Sequence, residues 1–390
     1  MIHNMKRPSI QPVNLIRISI KKSRFILFFL CIFFSITPTY GNETIDIAAI
    51  YALTGAAAEG NALTLQGVRY AVNEINEKGG ILGKNIRLLV FDNQSTPIAS
   101  TIAAKQATEA NVVAIVGPDW SSHSIAVAKV AQNSGIPMIS SLSTNPEVTK
   151  IGDYIFRICF TDDFQGQVIS KFARQDLNAK TAVIFVDVTS DYSLKLSEIF
   201  RKHFEKLGGR VVLELEYKLR QQIFGEEVKK AVKAGADVIF IPGHDESGLI
   251  ARQIQDAGVS SILLGGDGWS TPSFFRKGGA ELRRGYYSTH WSVYLNTDRS
   301  RSFVKKYAIH SERPDDNITL GYDAMMLMAD AIARSGSTNR KKIRDAIANT
   351  RSFKGVTGTI NFNDHGDPIK SAVFMEIKNG KPHYLKTLKP

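Results

Sequence analysis

The chain has 390 residues, 43% of them hydrophobic and 22% charged, which suits two globular domains of roughly 150 residues each. Its net charge of +12 falls to +6 once residues 1–41, with six basic and no acidic residues, are set aside (43 Lys and Arg against 37 Asp and Glu). That mild excess, with no basic patch interleaved with aromatics, excludes nucleic acid as the natural partner, and two cysteines in all exclude a disulfide framework and a cysteine metal cluster.

Residues 1–41 form a segment of their own. Lys6, Arg7, Arg17, Lys21, Lys22 and Arg24 precede a 12-residue apolar run, FILFFLCIFFSI. A spanning helix needs about 20 apolar residues, so this run is short for an anchor and reads as the core of a secretory signal. Cleavage is expected after Gly41, with Thr39 at the −3 position. Cys31 follows Phe28, Phe29 and Leu30, with no small residue beside it, so a lipid-attachment site is not expected. Cys159 is then the one cysteine of the mature chain and reads as a small apolar filler.

From residue 45 onward, short β-branched runs alternate with amphipathic stretches of helical length. Strands are expected over 45–51, 86–92, 112–117 and 136–140, and in a second series over 181–186, 210–217, 237–242 and 261–265. Helices are expected over 63–78, 97–110, 121–134, 163–175, 193–207, 226–234 and 248–257. Near-continuous apolar strands separated by helices predict parallel sheets covered on both faces, and two series predict two α/β lobes. The rhythm then changes to helices over 301–310, 318–335 and 341–350, followed by hairpin-like segments with an Asn-Gly turn at Asn379 and Gly380.

Two turns stand out. GPDWSSHS, residues 117–124, and SSLSTNPE, residues 140–147, each follow an expected strand. Ligands of open parallel sheets bind beyond the carboxyl ends of the strands, where helix N-termini present unpaired N–H groups. Ser121 and Ser122 fall near such an N-terminus, and Ser143 and Thr144 one strand later; together they make a neutral cradle for a carboxylate. Simple helix capping explains one such turn equally well. Asp267 in GGDGW ends a strand of the second series and suits an ammonium group, or else an ordinary Asx turn.

Beyond these residues the chain, over 45–390, resembles the periplasmic solute-binding proteins of the branched-chain amino acid type that feed ABC transporters. The resemblance rests on NEKGGILG at 76–83, on the two hydroxyl turns in their order, on FTDDFQG at 160–166, on SDYS at 190–193 and on GYDA at 321–324. It implies two doubly wound α/β lobes of the type I periplasmic binding fold, joined by three crossovers, with the ligand between them. The lobes would comprise residues 42–161 plus 290–365 and residues 162–289 plus 366–390. It implies that Ser121, Ser143 and Thr144 hold a ligand carboxylate and ammonium, that Asp267 takes the ammonium from the other lobe, and that Tyr192 closes over the ligand. Asp162 would bind ligand or support the hinge, and Tyr322 would stand at the pocket rim or in a helix-face core. It further implies a periplasmic, monomeric protein without cofactor or metal, delivering an amino acid or similar polar solute to a membrane permease.

Two departures put aliphatic specificity in doubt. Members selective for branched aliphatics carry a large aromatic in the first glycine loop, where this chain has Gly60 and Asn61. Many carry another aromatic where this chain has His244 in PGHDE. Both suit a larger or more polar ligand side chain. Trp120 occupies one position of a cysteine pair found in some members. Of the rivals, a hydrolase would draw on Ser121, His123 and Asp119, but no G-x-S-x-G elbow is present. A sensory protein for an amide or urea-like solute would use the same lobes, but a neutral ligand would leave Asp267 unpaired in a desolvated crevice.

Overall fold

The computed structural model describes residues 43–280, 282–308 and 314–390; the expected signal, with Cys31 and the cleavage point after Gly41, lies outside the described residues. The chain builds two sheets in succession. The first comprises β1 (Thr44–Tyr51), β2 (Asn85–Asp92), β3 (Ala114–Val116), β4 (Met138–Ser140) and β5 (Ile155–Arg157), in the order β2-β1-β3-β4-β5 and all parallel. Its crossovers carry α1 (Ala58–Glu77), α2 (Pro97–Glu109) and α3 (Ser121–Asn133). β1 is buried on both faces: Ile45, Ile47, Ala49 and Tyr51 enter one core, Ala48 and Ile50 the other. This two-sided burial is why the strand reads as an unbroken apolar run from residue 47 to residue 51, after Asp46.

The second series runs α4 (Asp162–Lys171), β6 (Thr181–Asp187), α5 (Asp191–Lys206), β7 (Arg210–Tyr217), α6 (Gly225–Ala234), β8 (Val238–Ile241), α7 (Ser247–Asp256), β9 (Ile262–Gly265), α8 (Pro272–Gly278) and β10 (Arg284–Thr289). Then come α9 (Asp298–Tyr307), α10 (Asp316–Ser335), α11 (Arg340–Ala348), the small hairpin β11 (Phe353–Gly355) with β12 (Gly358–Ile360), and the terminal hairpin β13 (Ala372–Lys378) with β14 (Lys381–Leu388). The second sheet has the order β14-β13-β10-β9-β8-β6-β7, parallel except for the antiparallel β13 and β14. Asn379 and Gly380 both take positive φ, 50° and 69°, as an Asn-Gly hairpin turn demands.

Three elements escape the alternation rule. β5 has 3 residues, α8 has 7, and β10 (RGYYST) has no aliphatic run. α9, α10 and α11 follow β10 in the chain yet contribute Phe303, Leu320, Met328 and Ile343 to the core beside β1. The connections are tied by buried charge. Lys370 Nζ donates to the Ile158 carbonyl (3.0 Å) and the Thr357 hydroxyl (2.6 Å), and Thr357 in turn donates to Asp323 (2.7 Å). Burial pushes the Lys370 ammonium down to about 8, with Asp323 opposing. Arg157, wholly buried, pairs with Asp367 at 2.6 Å and donates to the Ser143 and Asn145 carbonyls. Cys159 is free and buried, as the apolar filler the sequence suggests.

Candidate functional site

The first wall of the site is the pair of hydroxyl turns. Gly117, at the end of β3, has φ +94°, and a Cβ there would stand 2.5 Å from the Ile50 carbonyl oxygen, so only glycine fits. The next carbonyl, Pro118, accepts from Ser124 (3.2 Å) and Ser140 (3.0 Å), and the Ser143 hydroxyl donates to the Asp119 carbonyl at 2.6 Å. These three serines therefore brace the loop. Trp120 is the cap residue of α3 and makes no side-chain cap, which leaves Ser121 as the first residue of the helix, beside its unpaired N–H groups. Ser121 Oγ accepts from the Asn145 N–H at 3.3 Å. The Thr144 hydroxyl is buried without a hydrogen-bond partner, while its carbonyl accepts from the Asp162 N–H at 2.8 Å.

The second wall is built at the end of β9. A Cβ on Gly266 would stand 2.2 Å from the Tyr192 hydroxyl oxygen, so a glycine is needed for Tyr192 to reach Asp267. Asp267 Oδ1 accepts from Tyr192 (2.9 Å) and Gln165 Nε2 (2.8 Å), and Oδ2 lies 3.1 Å from His290 Nε2. Burial drives the Asp267 carboxyl upward, but the hydrogen bond and charge of His290, with Gln165 and Tyr192, overcome it and hold the group below its ordinary range. Asp267 is thus a buried carboxylate kept ionised. Asp162 is the opposite case: burial, reinforced by Asp267, pushes it well above the carboxylate range. Both Asp162 oxygens lack hydrogen-bond partners.

Aromatic rings close the side. His244 stacks on Trp120 from the other sheet's lobe, with centroids 4.0 Å apart and planes 4° from parallel, and on Tyr192 at 5.1 Å. Trp120 stacks in turn on His123 at 5.4 Å. Burial, then the charge of His244, pushes the His123 imidazole down to about 4, so it is neutral at physiological pH. The His244 loop is held by Glu246, which accepts from the His244 N–H (3.0 Å) and the Tyr217 hydroxyl (2.9 Å).

Between the walls lies a cavity of about 50 Å³, lined by Gly60, Asn61, Asp119, Trp120, Ser121, Leu142, Thr144, Tyr192, His244, Asp267 and Asn317 among others. The volume suits a compact solute or a few ordered waters. Six of the nine residues expected from the sequence meet here: Gly60, Ser121, Thr144, Tyr192, His244 and Asp267. Ser143, Asp162 and Tyr322 are not on the lining. Ser143 braces the Asp119 loop, Asp162 lies behind Thr144, and Tyr322 donates to Glu74 and packs against Tyr70 and Phe303 in the helical seam. The sequence reading missed Asp119 as a lining group, and Gln165 and His290 as supports of Asp267. Asp119 directly precedes the serine turn and carried that much signal; Gln165 and His290 are placed only by the fold. Across the cleft Asn145 Nδ2 donates to the Asp191 carbonyl at 2.8 Å, and Arg276 pairs with Glu59. Among the described residues no cluster of His, Cys, Asp and Glu is arranged to hold a metal.

The sequence pattern of the family described as periplasmic binding protein matches residues 44–382. A Leu/Ile/Val-binding protein homolog of Brucella suis is 29% identical over 341 residues, covering 86% of this chain and 91% of the relative. Among solved structures, a leucine-binding protein of Thermotoga maritima is 34% identical with a TM-score of 0.85, covering 89% of this chain and 99% of that one. A branched-chain amino acid transporter substrate-binding protein of Streptococcus pneumoniae, in complex with isoleucine, is 31% identical with a TM-score of 0.84, covering 89% and 100%. Two α/β lobes around a polar cleft, matched over nearly the whole described chain, place it plainly: the chain belongs to the periplasmic binding protein family, a solute-binding protein and not an enzyme.

Proposed function

We propose that the protein captures an α-amino acid in the cleft and presents it to an ABC-transporter permease. The observation that carries this reading is the opposition of charges on offer. An ionised, pre-oriented Asp267 stands on one wall, and the Ser121 and Thr144 hydroxyls at the N-terminal end of α3 stand on the other. A zwitterion meets both walls with opposite charge; an amide brings no charge to either. Ser121 and Thr144 receive the carboxylate, Asp267 the ammonium, and the rings of Tyr192, His244 and Trp120 cover the ligand. Ser143 and Asp162 act behind this surface, Ser143 through the loop it braces and Asp162 through Thr144. The Thermotoga maritima protein is a leucine-binding protein and the Streptococcus pneumoniae one holds isoleucine, and the same backbone chemistry is assigned to this chain.

The lobes are taken as residues 42–161 with 290–365 and 162–289 with 366–390, closing on the ligand as a shift between open and closed populations. Residues 1–41 act as a cleaved signal without a lipid anchor, and the mature chain works as a monomer in the periplasm. The test is isothermal titration of residues 42–390 with α-amino acids, with the corresponding acids lacking the amine, and with amines lacking the carboxylate. Binding should require both charges and should weaken by about 30-fold or more in Asp267→Asn, as expected for truncating one partner of a buried charged pair. Binding of ligands without an ammonium group, or unchanged affinity in Asp267→Asn, would sink the reading.

A further inference from the structure

Asp119 lines the cavity and is 4% exposed, yet neither of its carboxylate oxygens has a hydrogen-bond partner. A buried carboxyl left in this way costs free energy that a fold seldom spends without return. Its surroundings do not supply the missing partner. Among the described residues the one hydroxyl near enough to draw the group down is that of Thr64, which also reaches the Gly60 carbonyl at 3.4 Å and can serve only one of the two carboxyl oxygens. Tyr51 donates to or accepts from Ser141 at 2.7 Å, and Asp316 adds negative charge. No ion pair of the described residues involves Asp119. The backbone beneath it, by contrast, is firmly held, because its carbonyl accepts from Ser143 at 2.6 Å. The carboxyl is therefore fixed in place on the lobe that carries Ser121, with its bonding capacity unspent and facing the cavity.

Asp119 is also surplus to the zwitterion. Asp267 already provides the anion for an ammonium group, and the Ser121 and Thr144 hydroxyls already serve the carboxylate. What remains for Asp119 to meet is the ligand's side chain. Gly60 and Asn61 leave space on the same lobe: a Cβ on Gly60 would find only Thr271 Cγ2 near it, at 3.6 Å.

We infer that Asp119 is a specificity residue that selects an amino acid whose side chain bears an N–H or O–H donor, against the purely aliphatic ones. This rests on the amino acid reading above and names its ligand class.

The test is titration calorimetry of the mature chain with serine, threonine, asparagine, glutamine, histidine, lysine and arginine, against leucine, isoleucine and valine, repeated in Asp119→Leu and Asp119→Asn. Wild type should bind its best donor-bearing amino acid at least ~10-fold more tightly than any aliphatic one, since an aliphatic side chain would bury the acid unpaired. Asp119→Leu should reverse that order. Asp119→Asn, equal in shape, should keep the fold and lose most of any preference for a cationic side chain. Aliphatic amino acids binding wild type as tightly as the donors, or a preference unmoved in both variants, overturns the inference while leaving the amino acid reading intact. Wild type that binds no amino acid at all overturns both.

Discussion

Asp119 and Asp267 are buried acids on opposite walls of one cavity, and their surroundings drive them in opposite directions. Three hydrogen-bonding neighbours hold Asp267 ionised; burial, reinforced by the charge of Asp316 and only partly offset by Thr64, pushes Asp119 up to about 8. The difference has a measurable consequence without ligand. The unfolded Asp119 titrates near its ordinary 3.8, so between about pH 4 and pH 8 the folded chain keeps a proton that the unfolded chain releases. Its contribution to stability is therefore greatest below that window and declines as pH rises through it. Asp119→Asn carries no such proton. Wild-type stability relative to Asp119→Asn, measured by urea denaturation, should fall from pH 4 to pH 8, by no more than about 1.4 kcal/mol per unit. A difference constant with pH would mean that the carboxyl finds a partner in solution.

At the scale of the element, the two hydroxyl turns divide their labour. Ser124, Ser140 and Ser143 hold the backbone of residues 118 and 119, while Ser121 and Thr144 face the cavity. Ser143→Ala removes the donor from a buried carbonyl and should cost about 1–2 kcal/mol in chemical denaturation. Ser121→Ala should leave stability within about 1 kcal/mol and weaken amino acid binding by about 10-fold or more by calorimetry, because a hydrogen bond to a charged ligand is lost. Equal effects of the two on both readouts would contradict the division. The sequence alone could not make it. Strand-end position marked all the hydroxyls alike, and only the close packing of the β3 and β4 ends sorts braces from cavity-facing groups. The alternation itself was legible because strands buried on both faces are apolar throughout. β10 was not, since it carries two tyrosines, Tyr286 and Tyr287, where the parallel strand beside it, β9, is aliphatic. His290 and Gln165 meet Asp267 from separate connections, a juxtaposition that no local pattern records.

At the scale of the whole molecule, buried and exposed charges serve different ends. Lys370 and Arg157 bind the connecting segments to the body of the first sheet through buried bonds. Arg276 and Glu59 pair across the open rim, both substantially exposed. An exposed pair contributes about 0–1 kcal/mol and is screened by salt. Arg276→Ala should therefore weaken ligand binding less than about 5-fold in calorimetry, and the difference should vanish near 1 M salt. A larger, salt-independent loss would place the pair in the closing contact itself.

The chain contains three tryptophans. Trp269 donates to the Ile241 carbonyl and Trp291 to the Ser300 hydroxyl, each buried within the body of its own lobe. Trp120 alone lies face to face with a ring of the opposite lobe, His244. If the lobes part as proposed, that pair separates and one indole is wetted, while Trp269 and Trp291 remain in the cores of their sheets. The protein thus carries its own optical gauge of opening, in which two emitters serve as a fixed reference and the third reports.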